Sequence, residues 1–218
     1  MDGVMDIASA RALAGNAVLW PKVRDFLWDF APMVDDSWLD GVQCGALRKS
    51  LADSPRAKQF VLDALGIVPC FHDFPKDDGS RLLLLDSSTI QSLAAWLGTA
   101  ASSESLRKIT DGTVVRAFKS AFPGIYPDVF SYTAYFRNST LSGGESAASP
   151  EDVFKLGFGI LFSLVGKAPP PLVRRLVLKL PRRFEALCAP AAPAKTELKD
   201  AIHLLKLRFP EAHVLCCS

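Results

Sequence analysis

The sequence predicts a mainly α-helical fold: a compact single-domain helical bundle over 1–218, with one short β-hairpin around 68–85. Three observations point there. Apolar residues recur at three- and four-residue spacing along most of the chain. Ser/Asp-Pro pairs and single glycines bracket those stretches where helices begin and end. The 218 residues are 49% hydrophobic and 22% charged, with mean hydropathy +0.19. That composition fills a core and excludes disorder of the whole chain. A chain of this length buries on the order of 70% of its unfolded surface without disulfides or metal.

The first helix is carried by NAVLWPKVRDFLWDFAPMV, where Trp20, Val23, Leu27 and Phe30 form a stripe. Lys22, Arg24, Asp25 and Asp29 lie mostly on the other side; Pro21 falls in the first turn and Pro32 ends the run. In DSPRAKQFVLDALG, Asp53 or Ser54 caps, Pro55 opens the helix and Gly66 stops it. The stretch 67–86 differs: two short apolar runs flank Lys76-Asp77-Asp78-Gly79, which reads as a hairpin turn. Helices resume with DSSTIQSLAAWLG, capped by Ser87 or Ser88 and closed by Gly98, and continue over 103–109 and 113–122.

Turn residues and a Ser/Gly/Ala run then weaken the pattern, and 139–149 is expected to be a mobile intradomain loop. Ser149 as N-cap, Pro150 at the first position and Glu151 and Asp152 in the first turn open the next helix. Nearly every side chain after Lys155 in that helix is apolar, so it is expected to be central, with Gly166 as its end. Pro171 and Pro181 bound the following helix. A Pro/Ala-rich linker at 188–195 leads to a last one striped by Leu198, Ile202, Leu205 and Phe209. The most lipid-like stretch, 156–165, is about 15 Å long as a helix, half the hydrocarbon thickness, so no membrane span is expected. Positions 1–15 carry two aspartates and no basic n-region, so no secretory signal is expected.

Catalytic and metal chemistry find little support. The five cysteines, at 44, 70, 188, 216 and 217, follow no framework and read as reduced thiols in a cytoplasmic protein. Cys70-Phe71-His72 and the pair His213 and Cys216 have no zinc-finger or ribbon spacing. A thiol-dependent enzyme using Cys70 and His72 stays open as an alternative, although two residues sharing a strand face leave the base without an orienting partner. There is no G-x-S-x-G elbow, Walker loop or H-E-x-x-H helix. Gly157-Phe158-Gly159 lacks the third glycine of a dinucleotide fingerprint and sits in a helical pattern, where glycines permit close helix packing. No cofactor, metal or catalytic residue is assigned.

Charge is segregated. Net charge is +2, too balanced for coating nucleic acid by counterion release. Yet 153–184 holds seven basic residues (Lys155, Lys167, Arg174, Arg175, Lys179, Arg182, Arg183) and no acidic one, whereas 1–40 holds seven aspartates against three basic residues. A solvated face accounts for most charge runs. Here the density over 174–183 makes Arg174, Arg175, Lys179, Arg182 and Arg183 a candidate surface for an acidic protein partner. A peripheral anionic-lipid or nucleic-acid binder through the same cluster is the further alternative. Of the four tryptophans, Trp38 in VDDSWLDG is expected to be half exposed and available to a partner.

The segment GFGILFSLVGKAPPPLVRRLVLKLP is similar to the close of the SctK (YscK-like) family, the sorting-platform accessory of type III secretion injectisomes. It shares the glycine-containing apolar helix, the proline-rich break and the basic amphipathic run ending in Leu178-Lys179-Leu180-Pro181. LWPKVRDFLWDFAPMVDDSWL resembles the family's tryptophan- and proline-punctuated N-terminal helix, and IQSLAAWLG with LRKITDGTVVRAF resembles its central helical pair. The hairpin and the Cys-Cys-Ser tail have no place in that pattern. The resemblance implies a non-enzymatic, helical adaptor at the cytosolic face of the bacterial inner membrane. It would join the cytosolic forkhead-associated-like domain of SctD to the SctQ pods and touch the membrane only through partners. It assigns no individual residue a role.

Overall fold

A computed structural model describes residues 14–40, 50–51, 53–70, 72–74, 79–126, 128–130, 149–165, 167–188 and 198–217. Among the described residues all regular structure is helix and no strand occurs, as the apolar periodicity predicts. The α-helices are α1 (Leu19–Trp28), α2 (Asp36–Leu39), α3 (Pro55–Ala64), α4 (Ser87–Ala101), α5 (Ser103–Arg107), α6 (Gly112–Ala121), α7 (Pro150–Leu164), α8 (Pro170–Lys179), α9 (Leu198–Arg208) and α10 (Pro210–Cys217). Short 3-10 helices cover Ala31–Met33, Ser80–Leu84 and Arg182–Leu187.

Local chemistry sets the ends. The Asn16 side chain accepts from the amides of Val18 and Leu19 at the start of α1, satisfying donors that no earlier turn can reach. The Ser54 hydroxyl accepts from the Ala57 amide and Pro55 occupies the first position of α3. That helix closes in a Schellman arrangement: Gly66 takes φ +64°, its amide reaches the Asp63 carbonyl and the Ile67 amide the Leu62 carbonyl. At α7, Ser149 and Asp152 cap each other's backbone amides and Pro150 leads the helix. Gly98 does not end α4, which runs on to Ala101.

The expected hairpin is not formed over its second arm: Ser80–Leu84 is a 3-10 helix, and the turn residues 76–78 lie outside the described residues. Leu82, Leu83, Leu84 and Leu85 are all buried. A strand of an isolated hairpin must show one face to water, and four consecutive buried leucines leave none. The expected mobile loop at 139–149 and linker at 188–195 also fall outside the described residues, apart from Ser149 and Cys188.

The chain divides into two compact units, one of Met1–Ser87, Lys167–Glu185 and Val214–Ser218, the other of Ser88–Gly166 and Ala186–His213. In the first, the core is built from Leu19, Val23, Phe26 and Phe30 of the α1 region, Phe74, the 82–85 leucines, and Leu172, Leu176 and Leu178 of α8. Phe26 meets Phe30 and Phe74 edge to face, at 5.6 and 6.1 Å between ring centres. In the second, Ala95, Leu106, Phe118, Phe122, Tyr126 and Val153 form a cluster flanked by Phe130 and Phe154. There α4 and α7 touch backbone to backbone through Gly98 and Gly157: a Cβ on Gly98 would lie 2.0 Å from the Val153 carbonyl oxygen, and one on Gly157 1.9 Å from that of Ala94.

Candidate functional site

The basic run over 174–183 is split between interior and surface by the geometry of α8. Leu172, Arg175, Leu176 and Lys179 share one face at helical spacing, and all four are buried, Arg175 at 2% and Lys179 at 4% exposure. Arg174 points the other way and is exposed, and after Pro181 the 3-10 turn leaves Arg182 and Arg183 exposed as well. Burial therefore removes Arg175 and Lys179 from the expected partner surface, which keeps Arg174, Arg182 and Arg183.

The buried cations have a definite task within the first unit. Nη1 of Arg175 donates to the carbonyls of Phe26 and Leu27, the latter at 2.8 Å, and Nη2 donates to that of Val68 at 3.2 Å. Phe26 and Leu27 lie in the last turn of α1, where carbonyls lack intrahelical donors and the helix end is partially negative. Lys179 Nζ donates to the carbonyls of Leu83, at 3.0 Å, and Leu85 at the end of the 3-10 turn. Arg81, also buried, donates to the carbonyls of Phe74 and Cys216.

Aromatic faces complete the setting. Arg175 lies over the rings of Phe26 and Phe30, and Lys179 over that of Phe26. Neither Arg175 nor Lys179 has a carboxylate within ion-pair distance among the described residues. Burial pushes Lys179 down to about 7, against the attraction of Asp86 and with the repulsion of Lys22. Burial likewise lowers Arg175, opposed by Cys70.

Trp38, expected to be half exposed, is buried at 6%. Its indole Nε1 donates to the Leu180 carbonyl at 2.7 Å, and the guanidiniums of Arg174 and Arg182 lie over its ring, 5.1 and 5.5 Å from the centre. Asp35 and Ser37 hold α2 against the end of α8: the Asp35 amide donates to the Leu178 carbonyl, and the Ser37 hydroxyl accepts from the Arg182 amide. Arg174 also pairs with Glu185 at 3.5 Å. Two arginines of the surface set are thus held in place by the tryptophan they cover.

The open tryptophan is Trp28, at 51% exposure. Its ring meets that of Trp20 at 5.9 Å and 58°, and the adjacent Asp29 pairs with Lys58 of α3 at 2.7 Å. The sequence holds the signal for this. At 100° per residue Trp28 lies about 160° from the centre of the buried face of α1, while Trp20 sits on its flank.

Cys70 and His72 are both half-buried, and the His72 ring packs edge-on against Phe74 at 5.0 Å. Among the described residues no group of three or more His, Cys, Asp and Glu is placed to hold a metal ion. No described helix is long and apolar enough to cross a membrane. No protein-family model, curated protein or solved structure matches the chain.

Proposed function

We propose that this chain is a non-enzymatic protein adaptor of the kind its likeness to the SctK family implies. It would join the cytosolic domain of an SctD-type ring protein to SctQ-type pods at the cytosolic face of a bacterial inner membrane. The observation that carries the reading is Trp28, an indole with half its surface open on a helix whose other large apolar side chains are mostly inside. Tryptophan is the residue type most enriched at the energetic centres of protein interfaces. Arg174 and Arg182, pinned on Trp38, lose little side-chain freedom on engaging a partner, which favours binding.

The test is affinity capture with the full chain as bait in a secretion-competent bacterium. Recovery of ring and pod components supports the reading, and recovery of neither overturns it. Trp28→Ala is expected to lower that recovery at least tenfold, the size of effect a central interface tryptophan carries.

A further inference from the structure

Lys179 is the unusual group of the first unit. It is 4% exposed, near the C-terminal end of α8, and its amine is enclosed by the Leu83 and Leu85 carbonyls and the Phe26 ring. A buried ammonium is ordinarily stabilised by a carboxylate in contact with it. Here the acceptors are neutral carbonyls. Among the described residues, the charges acting on the amine are Asp86, just beyond the turn, which favours the ammonium, and Lys22 of α1, which opposes it. Arg175, one turn back along α8, places a second cation against the same Phe26 ring.

We propose that Lys179 is a proton-controlled latch, its neutral amine closing the 80–85 turn onto α8 and its protonated form loosening that closure. A neutral amine has two N–H bonds for the two carbonyls and leaves no charge in the aromatic interior. Taking up a proton adds a third N–H and a full charge in a place with no contacting carboxylate among the described residues, and opening the turn to water relieves both. Burial places the proton uptake near neutrality, at about 7, whereas an unfolded lysine titrates near 10.4. Between those two values the unfolded chain holds the proton that the folded unit has released. The closed form therefore gains stability as pH rises through that window, and below it the penalty is complete and constant.

The latch is tested on the full chain. The 13Cε and 15Nζ resonances of Lys179 are expected to titrate with a midpoint near 7, and hydrogen-exchange protection of amides 80–86 should rise from pH 6.5 to pH 9. The rise approaches but does not exceed about tenfold per pH unit, the limit for one proton. Lys179→Met removes the proton and should leave that protection without the added pH dependence. A midpoint above about 9.5, close to an ordinary lysine, overturns the proposal. So does protection of 80–86 that is flat with pH in the native chain, or equally pH-dependent in Lys179→Met. If the methionine variant does not fold, the resonance titration of the native chain decides alone.

Discussion

Arg174 and Arg175 are adjacent in the chain and opposite in what they do, so replacing each with alanine separates their roles. Arg175→Ala deletes three donations to the carbonyls of Phe26, Leu27 and Val68 and leaves a void beside two phenylalanine rings. A buried acceptor stripped of its partner costs about 1–3 kcal/mol, and the void adds to this. The expected loss is therefore about 3 kcal/mol or more, read as a lowered midpoint in urea unfolding. Arg174→Ala removes a guanidinium that is exposed. Its pair with Glu185 and its stacking on Trp38 together are worth about 1 kcal/mol, and the midpoint should shift correspondingly less. Arg175→Lys is not a conservative change here, because one ammonium cannot span carbonyls from two separate stretches as the planar guanidinium does.

At the scale of elements, the α4–α7 crossing is the most sharply constrained feature. Cβ atoms at Gly98 or Gly157 would fall about 2 Å from the carbonyl oxygens of Val153 and Ala94. These are backbone atoms, which cannot swing aside as a side chain does. Gly98→Ala and Gly157→Ala are each expected to destabilise by at least the 1–3 kcal/mol usual for overpacking, seen as a lowered thermal midpoint. Gly112→Ala at the first position of α6 meets nothing within 4 Å and should stabilise by about 0.4–1 kcal/mol.

Such a crossing shows which parts of the fold were legible from sequence. The caps at Ser54 and Ser149 and the prolines behind them use local chemistry, so reading along the chain finds them. Gly157 reads as a packing glycine from its place in an apolar helix, but Gly98 reads as a stop because its partner lies far away in sequence. The same holds for Trp38: its turn looks polar and open, and the Leu180 carbonyl and the two arginines that meet its ring lie more than 130 residues distant. Arg175 and Lys179 were legible in principle, since their spacing from Leu172 and Leu176 places them on the apolar face of α8. Read as a run of charge rather than as positions on a helix, they fall on the surface. The 3-10 turn at 80–84 was hidden for another reason, because a short apolar run has no periodicity that separates strand from tight helix.

At the scale of the whole molecule, the two tryptophans whose surroundings differ most decide what the surface offers. Trp38 contributes to stability: its indole N–H is used inside, and its ring is the seat on which Arg174 and Arg182 rest. Trp28 contributes little to packing for its size, since about half of it faces solvent and the core residues of α1 are Leu19, Val23, Phe26 and Leu27. An adaptor reading therefore demands a separation of effects. Trp28→Ala should lower the unfolding midpoint by only about 1–2 kcal/mol, for its contact with Trp20 and its half-buried area, while lowering capture of ring and pod components at least tenfold. Trp38→Ala should lower the midpoint by about 3 kcal/mol or more, the range for a buried aromatic, and reduce capture by folded bait only modestly, through the side-chain freedom that Arg174 and Arg182 regain. Circular dichroism melts beside capture yields, normalised to folded bait, measure both at once. If Trp28→Ala unfolds the chain as Trp38→Ala does, Trp28 is a packing residue and loses its claim as the docking point. If it leaves both the melt and the capture unchanged, any partner engages another surface of the molecule.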